Sequence, residues 1–193
     1  MNLNDYDVKI GIIGLGYVGL PLAIEFSKIF PVIGFDIDKA RIEELQSGLD
    51  VSFEVNEKDL ISSKMQFSNK LDDLRECSIY IVTVPTPIDN YNKPDLRPLF
   101  LASKNLGELI SKENIVIFES TVYPGVTEEE CIPIIEENSG LKFNKDFFCG
   151  YSPERVNPGD KKHRLPDIVK ITSGSTSDIA NFIDQLYNKI IKA

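Results

Sequence analysis

The chain has 193 residues, with 30 acidic against 21 basic side chains and a formal net charge of −9. This length suits one hydrophobic core, and the negative charge excludes attraction to nucleic acid or to an anionic membrane surface. The most apolar stretch, residues 10–26, is interrupted by Pro21 and Glu25, which argues against a membrane span, and Asp5 and Asp7 stand where a secretory signal would have a basic region.

The first third of the chain predicts two strands, each followed by a helix. Residues 8–13 form a short apolar run that ends at a glycine, as a buried parallel strand does. A helix at 17–29 follows, and Pro31 prevents it from continuing. Residues 32–35 are typical of a second strand, after which Asp38 can cap a helix that runs to Gln46 and closes at Gly48.

The remainder of the chain continues this alternation. We expect strands at 65–67, 79–84, 115–118, 147–149 and 168–171, and helices at 59–63, 99–110, 127–137 and 177–191. Pro85 and Pro87 end the strand at 79–84, because proline offers no donor to a sheet. The pattern predicts an α/β fold: one Rossmann-like, doubly wound domain over 1–193, with a mainly parallel sheet and helices on both faces.

A glycine-rich segment lies between the first strand and the first helix. Gly14, Gly16 and Gly19 have the GxGxxG spacing that allows a tight turn, the approach of a pyrophosphate, and close helix–strand packing. Amides near Tyr17 and Val18 would meet the phosphates at the positive end of the helix. Glycines in this spacing also serve ordinary turns, so the motif alone is weak evidence.

An acidic residue strengthens the interpretation of the glycine loop. Asp36 ends the second strand, where a carboxylate can accept hydrogen bonds from both ribose hydroxyls and would repel a 2′-phosphate. The sequence therefore predicts NAD rather than NADP. Arg41 lies close enough to reach the adenosine, and the alternative, a solvated charge on the helix, is equally consistent with the sequence.

Polar residues follow three later strands, where open parallel sheets bind ligands. Thr86 stands in a proline-fixed turn and can offer a hydroxyl to the cofactor. The run from Glu119 to Thr121 favours a site, although Ser120 and Thr121 can instead satisfy the local backbone. Glu154 next to Arg155 is either a surface ion pair or a carboxylate that exchanges protons in a cleft.

Four motifs in this order, GLGYVGLPLA, VPTP, ESTVYPGVTEE and YSPERVNPGD, resemble the UDP-sugar 6-dehydrogenase family. Members of that family oxidise the C6 alcohol of a nucleotide sugar to a carboxylate with two NAD. The last segment is most similar to members that act on UDP-N-acetylhexosamines, such as the UDP-N-acetylgalactosamine and UDP-N-acetylglucosamine 6-dehydrogenases, in surface polysaccharide synthesis. The resemblance spans nearly all of residues 8–193 and implies an NAD-dependent enzyme with a UDP-sugar substrate.

The resemblance also implies roles for individual residues. It assigns proton and water handling to Glu154, the orientation of that water to Thr121, and contacts with the UDP-sugar to Arg155 and Val156. Contacts with NAD fall to Tyr17, Val18, Asp36, Arg41, Thr86 and Thr121. Pro158 stands where UDP-glucose members carry a second glutamate, a departure that argues against UDP-glucose as the substrate.

Members of this family have three domains: an NAD-binding domain, a central dimerisation domain and a C-terminal UDP-binding domain. The resemblance therefore implies a homodimer for the full-length protein. Its catalytic cysteine and lysine lie downstream of the region matched here, so we expect this chain to bind NAD without completing the reaction. Cys77, Cys131 and Cys149 are odd in number and lie in no such motif, so we expect them to pack as small apolar residues in a reducing cytoplasm. The lone His163 lacks metal partners at ligand spacing and fits a solvated basic loop, with a contact to a sugar diphosphate as the second interpretation.

Two other functions remain open from the sequence. One is a stand-alone NAD-binding or sensing module. The other is a different NAD-dependent dehydrogenase of the hydroxyacid type, although that class lacks the SPER segment.

Overall fold

The computed structural model describes residues 3–88, 93–155 and 165–193 of the chain. Within them, the strands are β1 (Ile10–Ile13), β2 (Val32–Phe35), β3 (Gln66–Ser68), β4 (Ile79–Val82), β5 (Ile115–Phe118), β6 (Phe148–Tyr151) and β7 (Ser173–Gly174). The α-helices are α1 (Gly19–Ser27), α2 (Lys39–Gln46), α3 (Glu57–Ser62), α4 (Arg97–Leu109), α5 (Ile132–Ser139) and α6 (Ser177–Tyr187).

The strands form one sheet in the order β3-β2-β1-β4-β5-β6-β7. All neighbouring pairs are parallel except β6 and β7, which are antiparallel. The chain fills one side of the sheet from β1 to β3 and then crosses to β4 on the other side of β1. A crevice therefore opens beyond the carboxyl ends of β1 and β4, where doubly wound sheets bind their ligands. The predicted fold class is confirmed.

Each face of the sheet is covered by helices. Alternate residues of the strands, such as Ile12, Ile81 and Ile117, pack in one cluster with residues of α1 and α6. The intervening residues, such as Val82 and Phe118, pack in a second cluster with residues of α4 and α5. Both faces of the central strands are buried, which explains why these strands are continuous apolar runs.

Local signals placed several helix ends correctly. Asp38 caps α2, since its side chain accepts a hydrogen bond from the amide of Ala40 at 2.9 Å. Gly48 follows α2 with φ +85°, a left-handed conformation that glycine adopts at low cost. Pro133 lies in the first turn of α5, where a missing amide is tolerated, and a π-helical stretch over Val126–Cys131 precedes it.

No helix of the described ranges is long and apolar enough to cross a membrane.

The strand predicted at 168–171 is wrong. This segment belongs to no strand, and the antiparallel edge strand β7 lies just after it. Val169 and Ile171 point outward, 71% and 52% exposed, whereas the side chain of Lys170 is only 2% exposed. The apolar composition suggested burial, but the segment turns its lysine inward instead.

Candidate cofactor site

A cleft of about 1060 Å³ lies beyond the carboxyl ends of β1, β2, β4 and β5. Its size is at the upper end for small-molecule and cofactor sites. The walls combine apolar side chains with the glycine loop and with polar residues of three strand ends. The residues predicted for cofactor binding that line it are Gly14, Gly16, Tyr17, Val18, Asp36, Thr86 and Thr121, and Glu154 lines it as well.

The glycine loop has the geometry that a diphosphate requires. Gly14 has φ +96°, which permits the tight turn after β1. A Cβ on Gly19 would overlap the carbonyl oxygen of Gly14, so this position keeps α1 close to the strand. A Cβ on Gly16 would meet no protein atom within 4 Å, so that position is open. The loop thus leaves free the space that a pyrophosphate would occupy.

The start of α1 faces the same space. Its N-cap is Val18, and no side-chain hydrogen bond caps the helix at that residue. The first amides of a helix have no partner within it and carry partial positive charge. Together with open space at Gly16, this end of α1 fits a bound phosphate group.

Thr83 is a residue of this site that the sequence analysis missed. It follows β4 directly, is 7% exposed, and its hydroxyl donates to the carbonyl oxygens of Gly14 at 2.7 Å and Ile13 at 3.1 Å. This contact holds the glycine loop against the neighbouring strand. A hydroxyl residue at the end of an apolar strand was the available signal.

Asp36 is fixed on the opposite side of the loop. One carboxylate oxygen accepts from the amide of Leu15 at 2.8 Å, and the other accepts from the amide of Asp38 at 2.9 Å. The carboxylate is therefore held at the cleft wall, at the end of β2, where the ribose of a dinucleotide would lie.

Arg41 lies behind this wall in a network of its own. Its guanidinium donates to the carbonyl oxygen of Leu15 at 3.1 Å and contacts Glu44 at 2.6 Å and Asp50 at 2.8 Å. Only 12% of its side chain is exposed, so Arg41 is not a solvated helix charge. It is absent from the cleft lining within the described part of the chain. Its contact with NAD stays a prediction, and its observed role is to support the loop.

Hydroxyl groups tie the strand ends together on the far wall. Thr86 donates to the carbonyl oxygen of Thr121 at 2.7 Å, and Ser120 donates to that of Val84 at 2.6 Å. Ser120 therefore bonds across to the turn after β4 and not to its own neighbours. Thr121 is exposed to the cleft.

Glu154 lines the cleft together with Tyr17 of the glycine loop. Burial raises the pKa of the Tyr17 phenol, and the negative charge of Glu154 adds to that effect. Glu154 is half-buried and Arg155 is exposed. Val156, Pro158 and His163 lie outside the described residues.

The cysteines take no part in the cleft. Cys77, Cys131 and Cys149 are all buried, as predicted. Burial raises the pKa of Cys77 and of Cys131 to about 11, and that of Cys149 well above its usual value. A thiol in this state is a poor nucleophile. The described residues also contain no cluster of side chains that could hold a metal ion.

A buried charged cluster lies behind the far wall and was not predicted. Glu119 is 1% exposed, and its carboxylate contacts the ammonium of Lys170 at 2.5 Å and accepts from the hydroxyl of Tyr187. Burial raises the pKa of Glu119, and the Lys170 ammonium opposes that shift. Glu119 also lines the cleft.

Comparisons with known proteins agree with this geometry. The family model described as "UDP-glucose/GDP-mannose dehydrogenase family, NAD binding domain" matches residues 8–191. UDP-N-acetyl-D-glucosamine 6-dehydrogenase of Salmonella typhi is 56% identical over 188 residues, which cover 97% of this chain and 44% of the relative. Protein CapL of Staphylococcus aureus is 48% identical, with 96% of this chain and 44% of the relative covered.

A solved structure shows the same fold. The UDP-D-ManNAc dehydrogenase of Pyrococcus horikoshii superposes with a TM-score of 0.86 at 32% identity, covering 96% of this chain and 46% of that one. The chain thus spans less than half the length of these three relatives.

Proposed function

The chain belongs to the UDP-glucose/GDP-mannose dehydrogenase family, whose NAD-binding domain it matches over residues 8–191, and from this premise we propose a specific role for the cleft. Residues 1–193 form a single domain that binds NAD for the oxidation of the C6 alcohol of a UDP-N-acetylhexosamine to the uronic acid. The similarity to UDP-N-acetyl-D-glucosamine 6-dehydrogenase supports this substrate class. The full-length protein acts as a cytoplasmic homodimer in surface polysaccharide synthesis.

The geometry around Gly16 carries the proposal. An open backbone position, an uncapped helix start and a carboxylate fixed by two amides meet at one end of the cleft. These groups match a diphosphate beside a ribose with free hydroxyls. Asp36 accepts from those hydroxyls and repels a 2′-phosphate, so the site selects NAD.

We assign proton transfer to Glu154 and Thr121, which line the same cleft. Bound NAD supplies the hydride acceptor for the oxidation of the alcohol. Glu154 takes up the proton and serves as base toward water, and Thr121 orients that water with its hydroxyl. Arg155 and Val156 contact the UDP-sugar. The hydroxyl of Thr86 donates to the carbonyl oxygen of Thr121 at 2.7 Å and so holds Thr121 in place.

The thiol nucleophile of the reaction does not come from these residues. All three cysteines are buried with raised pKa values, so none presents a thiolate to the cleft. Residues 1–193 alone therefore bind NAD but do not oxidise a UDP-sugar.

Calorimetric titration of the chain with NAD and with NADP tests the cofactor assignment. We expect NAD to bind at least tenfold more tightly than NADP. Asp36→Asn, which keeps the shape but removes the charge, should weaken NAD binding about tenfold and reduce the preference, because hydrogen bonds to a charged acceptor contribute about 1.5–3 kcal/mol. The absence of NAD binding, or equal affinity for both nucleotides, would contradict the proposal. NADH formation from UDP-N-acetylhexosamines by residues 1–193 would disprove the statement about the nucleophile.

A further inference from the structure

Glu119 occupies a position that the sheet would otherwise give to an apolar residue. Along β5, Ile115 and Ile117 point toward the cluster that contains α6. Glu119 is the next residue on that face, and it is 1% exposed. Its carboxylate is nevertheless satisfied, by the ammonium of Lys170 and by the hydroxyl of Tyr187 at the end of α6.

The side chain of Lys170 is buried, whereas the apolar side chains on either side of it are exposed. Val169 and Ile171 are 71% and 52% exposed, whereas the side chain of Lys170 is 2% exposed. Burial of either apolar side chain in place of the ammonium would remove apolar surface from water. Full burial of such a side chain is worth about 1.5–3 kcal/mol. Hydrophobic burial therefore does not explain why Lys170 points inward, whereas its contact with Glu119 does.

Stability alone does not account for such a cluster. Removing two charges from water costs several kcal/mol per ion, and apolar replacements of buried ion pairs are often neutral or stabilising by about 1–4 kcal/mol. What the ion pair does provide is a fixed position of the Glu119 carboxylate relative to the Lys170 ammonium. Glu119 immediately precedes Ser120 and Thr121, which continue the cleft wall.

Two side-chain hydrogen bonds hold the wall toward β4. Ser120 and the carbonyl of Thr121 are bonded to the turn after β4, through Val84 and Thr86. Glu119 extends in the opposite direction, to the segment before β7 and to α6. Its amide also donates to the carbonyl oxygen of Val82 at 2.8 Å, so its backbone is fixed as well.

We propose that Glu119, Lys170 and Tyr187 are positioning residues that anchor the Ser120–Thr121 turn from behind and so fix Thr121 beside the nicotinamide end of the cleft. This inference rests on the proposed function, because it takes NAD as the ligand. The cluster acts through the turn and does not itself contact the reacting atoms. It also joins Lys170 and α6, which both follow β6 in the chain, to the cleft.

The test compares NAD with ADP-ribose, which lacks the nicotinamide, in calorimetric titrations. In the double variant Glu119→Leu/Lys170→Met, apolar side chains of similar size replace the ion pair. We expect the double variant to fold, although the buried Tyr187 hydroxyl loses its acceptor, which costs about 1–3 kcal/mol. The Kd for ADP-ribose should change less than twofold, whereas the Kd for NAD should rise about tenfold. The fluorescence of bound NADH should fall toward that of free NADH.

Three further variants make the result interpretable. Lys170→Arg keeps the charge and should keep the ratio of the two Kd values at its wild-type value. Lys9→Met/Glu76→Leu removes an ion pair of 2.7 Å outside the cleft and should leave the ratio unchanged. Tyr187→Phe removes only the hydroxyl and should raise the ratio about threefold, even if the double variant does not fold.

Two results would overturn the inference. One is a folded double variant with the wild-type ratio and wild-type NADH fluorescence, which would mean that the cluster is only structural. The other is an unchanged ratio in Tyr187→Phe. If the wild type binds neither ADP-ribose nor NAD, the proposed function fails, and that outcome is distinct from both.

Discussion

Gly16 and Gly19 differ in what a methyl group would meet, although they stand three residues apart in one motif. Neither has a positive φ, so alanine is compatible with the backbone conformation at both positions. At Gly16 the added Cβ would enter open space, whereas at Gly19 it would collide with the carbonyl of Gly14. Binding and stability can therefore be separated within the loop.

We predict that Gly16→Ala leaves the free energy of unfolding within about 0.5 kcal/mol but raises the Kd for NAD at least tenfold, because the methyl group occupies the diphosphate space. Gly19→Ala should instead lower the free energy of unfolding by about 1–3 kcal/mol or more through overpacking. Urea titrations and calorimetry measure the two effects. A Gly16→Ala variant with wild-type affinity would show that the diphosphate does not approach this position.

At the scale of elements, the connection between α2 and α3 is organised around Asp50. Its carboxylate accepts from the amides of Glu54 and Val55, both at 2.9 Å, and it contacts Arg41 at 2.8 Å. Arg41 in turn bonds to Leu15 in the glycine loop. Burial works to raise the pKa of Asp50, but the hydrogen bonds from Ser52, Val55 and Arg41 outweigh it, and the pKa is lowered.

This shift gives a pH dependence with a defined sign. A carboxyl whose pKa is lowered by folding stabilises the folded state above its unfolded pKa, near 3.8, and loses that contribution as the pH falls through the folded value. Asp50→Asn should therefore be less stable than the wild type by about 1.5–3 kcal/mol at pH 7. The difference should shrink below pH 4. A constant difference from pH 7 to pH 3 in chemical denaturation would contradict this explanation.

The elements that sequence patterns located well are those with local causes. Short apolar runs gave β2 and β5 at their observed bounds, and Asp38 and Gly48 marked the ends of α2. The glycine loop and Asp36 were likewise found from spacing alone. Thr83 and the cluster around Glu119 were missed, because their partners lie far away in sequence. The strand predicted at 168–171 failed for the same reason, since nothing local shows that Lys170 pairs with Glu119.

On the scale of the whole molecule, the reactivity of the three cysteines measures whether one of the two hydrophobic clusters is intact. Cys77, Cys131 and Cys149 belong to the same cluster, on the face of the sheet covered by α4 and α5. Each comes from a different part of the chain, before β4, before α5 and within β6. Their exposure therefore requires that this face of the sheet opens.

We predict that the thiols of the folded chain react with a disulfide reagent at pH 8 at least a hundredfold more slowly than those of the unfolded chain. Burial hides the sulfur atoms, and the raised pKa values, about 11 for Cys77 and Cys131, leave little thiolate. The three should react together as denaturant is added. A single thiol that reacts rapidly under native conditions would contradict the packing described for it.

The contact between Glu119 and Lys170 has a consequence for biosynthesis. The two residues are 51 positions apart, and Tyr187 follows Glu119 by 68. At about 5–20 residues per second, the ribosome adds the lysine several seconds after the glutamate. Until then the carboxylate has neither partner and stays hydrated. The nascent chain can thus pair its early strands while the far wall of the cleft is unfinished, and the wall that carries Thr121 is fixed last.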